Sequence, residues 1–250
     1  MTTPQTVIQP DGPMLAAAAA ARLITVLVDA QAVREHTHVV LTGGSNGTAL
    51  LVALAAEPAR DTVDWSSVDL WWGDERFLPT GHADRNETQA RAALLEQLPL
   101  SPTRVHAMAP SDGLFGDDVD AAAAGYAAEL AAAAELAPSA VPGVPAFDVL
   151  MLGVGPDGHV ASLFPDHPGF AVTEGTVIAV RDSPKPPPTR ISLTLPALQA
   201  ATQVWLLAGG EAKADAVAAA LGGEKLPAGS VHGTERTLWL LDTAAAAKLP

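Results

Sequence analysis

Cysteine is absent from this 250-residue chain. Disulfides, thiolate nucleophiles and Cys-ligated zinc or iron–sulfur centres are therefore excluded, and the composition suits a reducing compartment. Basic residues are scarce: 14 Lys plus Arg stand against 28 Asp plus Glu, a formal net charge of −14. A surface of that sign repels phosphate backbones and argues against a nucleic-acid partner. A small phosphorylated ligand stays compatible with it, because two or three local cations suffice, and the position of each basic residue becomes informative. The first thirteen residues hold no Lys or Arg, so the basic start of a secretory signal is missing. Long hydrophobic runs are missing too: the longest, residues 14–28, has 15 residues and contains Arg22, short for a bilayer span of about 20. These absences set the expectation of a soluble, cytoplasmic protein with no membrane partner.

What is present is a chain that is 48% apolar and long enough to bury a sizeable core. Short apolar runs at 38–44, 67–74, 104–110, 147–153, 176–182, 204–210 and 237–242 read as buried strands. Between them, Ala-rich segments at 14–35, 46–57, 86–98, 118–136 and 211–222 carry helical periodicity. That alternation predicts an α/β fold, a Rossmann-like domain with a mainly parallel sheet and helices on both faces. Pro/Gly-rich breaks at 138–145 and 184–188 are loops. The alternation continues across the first, so residues 1–250 are expected to form one domain, acting as a monomer or weak homo-oligomer.

Ligands of open α/β sheets bind outside the carboxyl ends of the strands, and the residues following each run form a candidate site. "TGGSNGT" (42–48) joins a strand to a helix through a Gly-rich turn. Gly43, Gly44 and Ser45 there offer backbone N–H groups to a phosphate, or make an ordinary tight turn with Ser or Asn as the cap. No P-loop Lys follows, which argues against a nucleoside triphosphate. "GDERF" (73–77) places Asp74, Glu75 and Arg76 past an apolar strand, either as a surface ion pair or with Arg76 clamping a phosphate. Residues 181–190 gather Arg181, Lys185 and Arg190 in a loop stiffened by prolines. Lys213 opens a helix, where the dipole disfavours a cation and a nearby anion would explain it.

"GVGPDGHVASLFP" (153–165) poses a sharper question, because Gly153, Gly155 and Gly158 satisfy the dinucleotide-binding G-x-G-x-x-G. That fingerprint wants an acidic residue closing the next strand about twenty positions on. Glu174 precedes the next apolar run and Asp182, 29 residues on, closes it. Pro156 and Asp157 also put a kink and an anion where a pyrophosphate would sit. The competing reading has the glycines forming a sharp turn that presents His159 as a general base, with Asp157 orienting or charge-tuning it. The other six histidines, at 36, 38, 82, 106, 167 and 232, are expected to be mostly structural.

In this order, "TGGS", "GDER", "GxGxDGHxASLFP", "PKPPxxRxSLTLPAL" and "AGGxxKA" resemble the 6-phosphogluconolactonases from about Val39 to Asp242. The related glucosamine-6-phosphate deaminases share the fold and the "GxGxDGH" core. They typically have Asn-Glu-Pro in place of "ASLFP" and Asp-Glu-Tyr in place of Asp74-Glu75-Arg76. The resemblance implies hydrolysis of 6-phospho-D-glucono-1,5-lactone, the second step of the oxidative pentose phosphate pathway, with neither metal nor cofactor. It implies His159 as general base, Asp74 and Asp157 as orienting residues, and Gly43, Gly44, Ser45, Arg76 and Lys213 at the substrate phosphate, with Arg190 a further candidate. A deaminase or isomerase on the same fold, and a non-catalytic sugar-phosphate sensor, are the alternatives. Ammonia release from glucosamine 6-phosphate separates out the first. The sensor is weakened by the charge and by the absence of room for a DNA-binding segment.

Overall fold

The computed structural model describes residues 3–249. Six strands form the main sheet: β1 (Gln5–Gln9), β2 (Thr37–Leu41), β3 (Val68–Trp72), β5 (Val149–Gly153), β8 (Gln203–Ala208) and β9 (Arg236–Asp242). Their spatial order is β1-β9-β8-β5-β2-β3, and every neighbouring pair is parallel. All five residues of β2, and all five of β3, are buried. Successive strand residues face opposite sides, so the sheet is covered on both, as the apolar runs require. Trp71 and Trp72 fill one side each of β3 and are buried completely or nearly so.

The helices are α1 (Gly12–Gln31), α2 (Gly44–Ala56), α3 (Asn86–Ala93), α4 (Val119–Ala134), α5 (Leu195–Leu198), α6 (Ala214–Leu221) and α7 (Pro227–Ser230). Asp11 caps α1 by accepting from the Met14 amide at 2.9 Å, with Pro13 in its first turn. The helix has 20 residues, long and apolar enough by composition to cross a bilayer, which corrects the expectation drawn from the 15-residue run. Its inner face explains the apolarity: Leu15, Ala19, Leu23, Ile24 and Leu27 are buried in the core shared with α2 and the sheet.

Three more strands form a separate antiparallel sheet, ordered β4-β7-β6: β4 (Asp74–Arg76), β6 (Val177–Val180) and β7 (Arg190–Leu193). The run at 176–182, expected in a parallel sheet, belongs here and is only half-buried over three of its four strand residues. The run at 104–110 is no strand. A 3-10 turn at Pro102–Arg104 leaves a single bridge, Leu70 to Val105, alongside β3. Apolar patterning also gave no sign of β1, an exposed edge strand, or of β4, whose three residues are all charged.

Candidate active site

Strand order sets the place of the site. The chain runs from β2 outward to β3, then returns to β5 on the other side of β2, so the loops leaving β2 and β5 part at the sheet's switch point. They are tied there by the Gly153 amide, which donates to Thr42 Oγ1 at 3.1 Å. Around them opens a cleft of about 140 Å³. It is bordered by Gly43, Gly44 and Ser45 from the β2 loop and by Gly155 and His159 from the β5 loop. Asp74 and Arg76 of β4, Arg190 of β7, Lys185 and Lys213 complete it. In a chain of net charge −14 with 14 basic residues, this cleft gathers four cations.

The β5 loop answers the question posed by its glycines. A Cβ on Gly155 would lie 2.0 Å from His159 Nδ1 and 2.5 Å from Asp157 Oδ1. Glycine is required at 155 because the imidazole and its carboxylate occupy the space of a side chain. The turn is closed by the Gly155 amide on the His159 carbonyl at 2.9 Å and the Gly158 amide on the Gly155 carbonyl at 3.0 Å.

His159 Nδ1 lies 2.5 Å from Asp157 Oδ1. Although partial burial opposes it, His159 and Lys185 hold the Asp157 carboxyl down at about 2. An ionised carboxylate only accepts, so the imidazole carries its proton on Nδ1 and leaves Nε2 as the basic nitrogen. Burial pushes the His159 pKa below its ordinary value and Lys185 adds to that, against the pull of Asp157 and Asp74. Phe164 packs on the ring with centroids 4.6 Å apart.

Asp74 opens β4, two residues past the end of β3 in the main sheet. Its Oδ2 accepts from Ser162 Oγ at 2.7 Å and lies 3.8 Å from Arg190 Nη1. Ser162 and Phe164, both in the "ASLFP" segment, thus bind the β5 loop to the second sheet. Glu75 points away from the cleft. Burial pushes its carboxyl up to about 7, against the pull of Arg85 and of three backbone amides, those of Arg76, Asn86 and Glu87. It thereby caps α3, whose own cap position Arg85 makes no side-chain cap.

Asn86, at the start of α3, borders the cleft and was not singled out from sequence. Its Nδ2 donates to the Asp74 carbonyl at 2.8 Å, and its Oδ1 fills the place of a Gly43 side chain, 1.8 Å from where that Cβ would be. Gly43 is therefore dictated by Asn86 as well as by the open helix end. No side chain caps α2, so its first-turn amides are left to solvent or a ligand.

The cations differ in how free they are. Arg76 donates from Nη1 to the Asp84 carbonyl at 2.6 Å, and its Nε is buried without a partner. Arg190 is buried and donates to the carbonyls of Lys185, Pro186 and Pro187, each at 3.1 Å. It holds the Pro-rich loop, which accounts for much of its donor capacity. Lys213 stands in a short 3-10 turn, Glu211–Lys213, ahead of α6. Burial lowers its pKa, Lys185 lowers it further and Asp157 opposes both. Arg181 lies elsewhere, paired through Nη1 and Nη2 with Asp120 of α4. Among the described residues no group of three or more His, Asp or Glu side chains is placed to hold a metal ion.

The fold and the cleft define an α/β protein with a cationic crevice at the switch point of a parallel sheet. Residues 10–239 match the model of the glucosamine-6-phosphate isomerases/6-phosphogluconolactonase family, and the chain belongs to that family. The 6-phosphogluconolactonase of Streptomyces coelicolor is 64% identical over 251 residues, covering 99% of this chain and 95% of that protein. That of Mycobacterium tuberculosis is 52% identical over 248 residues, covering 97% of each. The crystal structure of 6-phosphogluconolactonase from Leishmania guyanensis superposes with a TM-score of 0.80 at 28% identity, covering 100% of both chains.

Proposed function

We propose that this chain hydrolyses 6-phospho-D-glucono-1,5-lactone to 6-phospho-D-gluconate, as a cytoplasmic monomer or weak homo-oligomer. The observation that carries the reading is the pairing of His159 with Asp157 in a cleft where Arg76, Lys185, Arg190 and Lys213 converge. The relatives' names support the same substrate.

In this reading His159 Nε2 takes a proton from a water as its oxygen attacks the lactone carbonyl carbon. The carbonyl oxygen becomes an oxyanion, which backbone N–H groups of the Gly-rich loops stabilise. Collapse re-forms the carbonyl and breaks the bond from that carbon to the ring oxygen. The imidazolium proton then passes to the ring oxygen, leaving a carboxylic acid that ionises. Asp157 holds the Nδ1–H tautomer throughout, and Asp74 fixes the loop through Ser162. The phosphate is anchored remotely by the amides of Gly43, Gly44 and Ser45 at the start of α2, with Arg76 and Lys213. A positioned general base contributes roughly 10²–10⁴-fold, enough for an activated ester.

A pH-stat assay on freshly made lactone tests this, with the expected result a proton release well above the spontaneous rate. Ammonia from glucosamine 6-phosphate in place of that acceleration would transfer the reading to the isomerase side of the family, and no turnover of either substrate would leave a non-catalytic sugar-phosphate sensor.

A further inference from the structure

Lys185 stands closer to the proposed base than a phosphate anchor needs to. Its Nζ is 3.1 Å from His159 Nδ1 and 3.0 Å from Asp157 Oδ1. The same carboxylate oxygen takes the imidazole at 2.5 Å, so one anionic atom is shared between the ring N–H and the ammonium. The ammonium is also aimed by a fixed backbone. The Lys185 carbonyl accepts from Ser183 Oγ at 2.9 Å and from Arg190 Nη2 at 3.1 Å, and the Lys185 amide donates to Ser183 Oγ at 3.3 Å. Prolines at 184, 186, 187 and 188 stiffen what lies between.

An Asp–His pair in a half-buried cleft has a hazard for a general base. The carboxylate that selects the right tautomer also stabilises the imidazolium, and a protonated His159 accepts no proton from water. We propose that Lys185 is a positioning residue that offsets this, dividing the charge of Asp157 and repelling the imidazolium so that His159 rests neutral. The proposal rests on the reading of His159 as base. The other charged groups around the imidazole are Asp74 of β4, which favours the imidazolium, and Arg76, Arg190 and Lys213, which share the cleft and disfavour it. Lys185 is the cation of that set in contact with the ring nitrogen.

The test is Lys185→Met, with Lys185→Arg as the conservative control, read in two ways. Imidazole NMR of the substrate-free protein follows His159 directly. The pH profile of kcat/KM, on the phosphorylated lactone and on unphosphorylated glucono-1,5-lactone, follows the base in action. The expected result is an alkaline displacement of both the NMR titration and the acid limb by about one pH unit, on both substrates, with Lys185→Arg restoring much of it. An unchanged NMR titration overturns the proposal, as does a loss confined to the phosphorylated substrate with the acid limb in place, which would make Lys185 a phosphate ligand. A displaced NMR titration beside an unmoved acid limb overturns it through the base assignment instead, and full activity of His159→Ala would identify that failure separately.

Discussion

His159 Nδ1 and Asp157 Oδ1, 2.5 Å apart, lie together over the bare Cα of Gly155, where a methyl group would meet the ring nitrogen at 2.0 Å. Gly155→Ala is therefore expected to push the imidazole off its carboxylate while the sheet remains folded. Activity should fall by about 10²-fold or more, chiefly in kcat, with an unchanged far-ultraviolet circular dichroism spectrum. Near-normal turnover would mean that the pair tolerates displacement and is not the working arrangement.

His159→Ala should leave the fold intact and remove most lactonase activity through kcat, because the attacking water loses its base. In the parent enzyme, burial and Lys185 lower the His159 pKa from its ordinary 6.5. The acid limb of kcat/KM should accordingly fall below that value, with the rate lost as pH drops through it. Activity of the Ala variant within a few-fold of the parent would remove His159 from the mechanism.

Arg76→Ala should lower kcat/KM on the phosphorylated lactone about ten- to a hundred-fold, the equivalent of a charge-assisted hydrogen bond of about 1.5–3 kcal/mol. On glucono-1,5-lactone the loss should largely vanish, since no phosphate is there to hold. Because Arg76 also donates to the Asp84 carbonyl, equal losses on both substrates would assign it to positioning the α3 approach, and Lys213 would be the next anchor to test.

His106 bridges two carboxylates, with Nε2 2.9 Å from Asp69 and Nδ1 2.7 Å from Glu129, and stacks on Trp71 at 3.7 Å. Burial disfavours its charge, but Asp69 and Glu129 prevail and raise its pKa above the ordinary 6.5. Such a group contributes stability that is fully present below the unfolded value and is lost as pH rises through the folded one. Urea unfolding from pH 6 to 9 should show the parent losing stability relative to His106→Asn as pH rises through the raised value. Parallel pH dependences would show that the bridge does not hold α4 to β3.

Dialysis against a chelator should leave the lactonase rate unchanged. The chain has no Cys and no H-x-x-x-H pair, and the described residues assemble no three-ligand cluster. A rate lost on dialysis and restored by one divalent ion alone would contradict this.

Much of this protein was legible in the order of its residues. Buried parallel strands read as unbroken apolar runs, so β2, β3, β5, β8 and β9 announce themselves, and helices follow from the Ala-rich periodicity between them. Turn chemistry is local, so the loops at 42–48 and 153–159 could be placed at strand ends, and the strand-end rule put His159, Asp157, Arg76 and Lys213 near one another. Other elements carry no such signal. β4 is three charged residues whose strand state exists only because Asp74 to Arg76 pair with Ser192 to Arg190, a contact between segments more than a hundred positions apart. That pairing sets Arg190 opposite Arg76, from where its guanidinium comes within 3.8 Å of the Asp74 carboxylate and donates to the Pro-rich loop. The identity of residue 43 is decided by Asn86, and that of residue 155 by the side chains of His159 and Asp157. Spacing along the chain specifies which face or end of an element a residue occupies, because helices and strands have fixed periods. Which carboxylate, amide or ammonium stands within 3 Å of another depends on how sheets cross and loops fold back, and only the tertiary structure decides that.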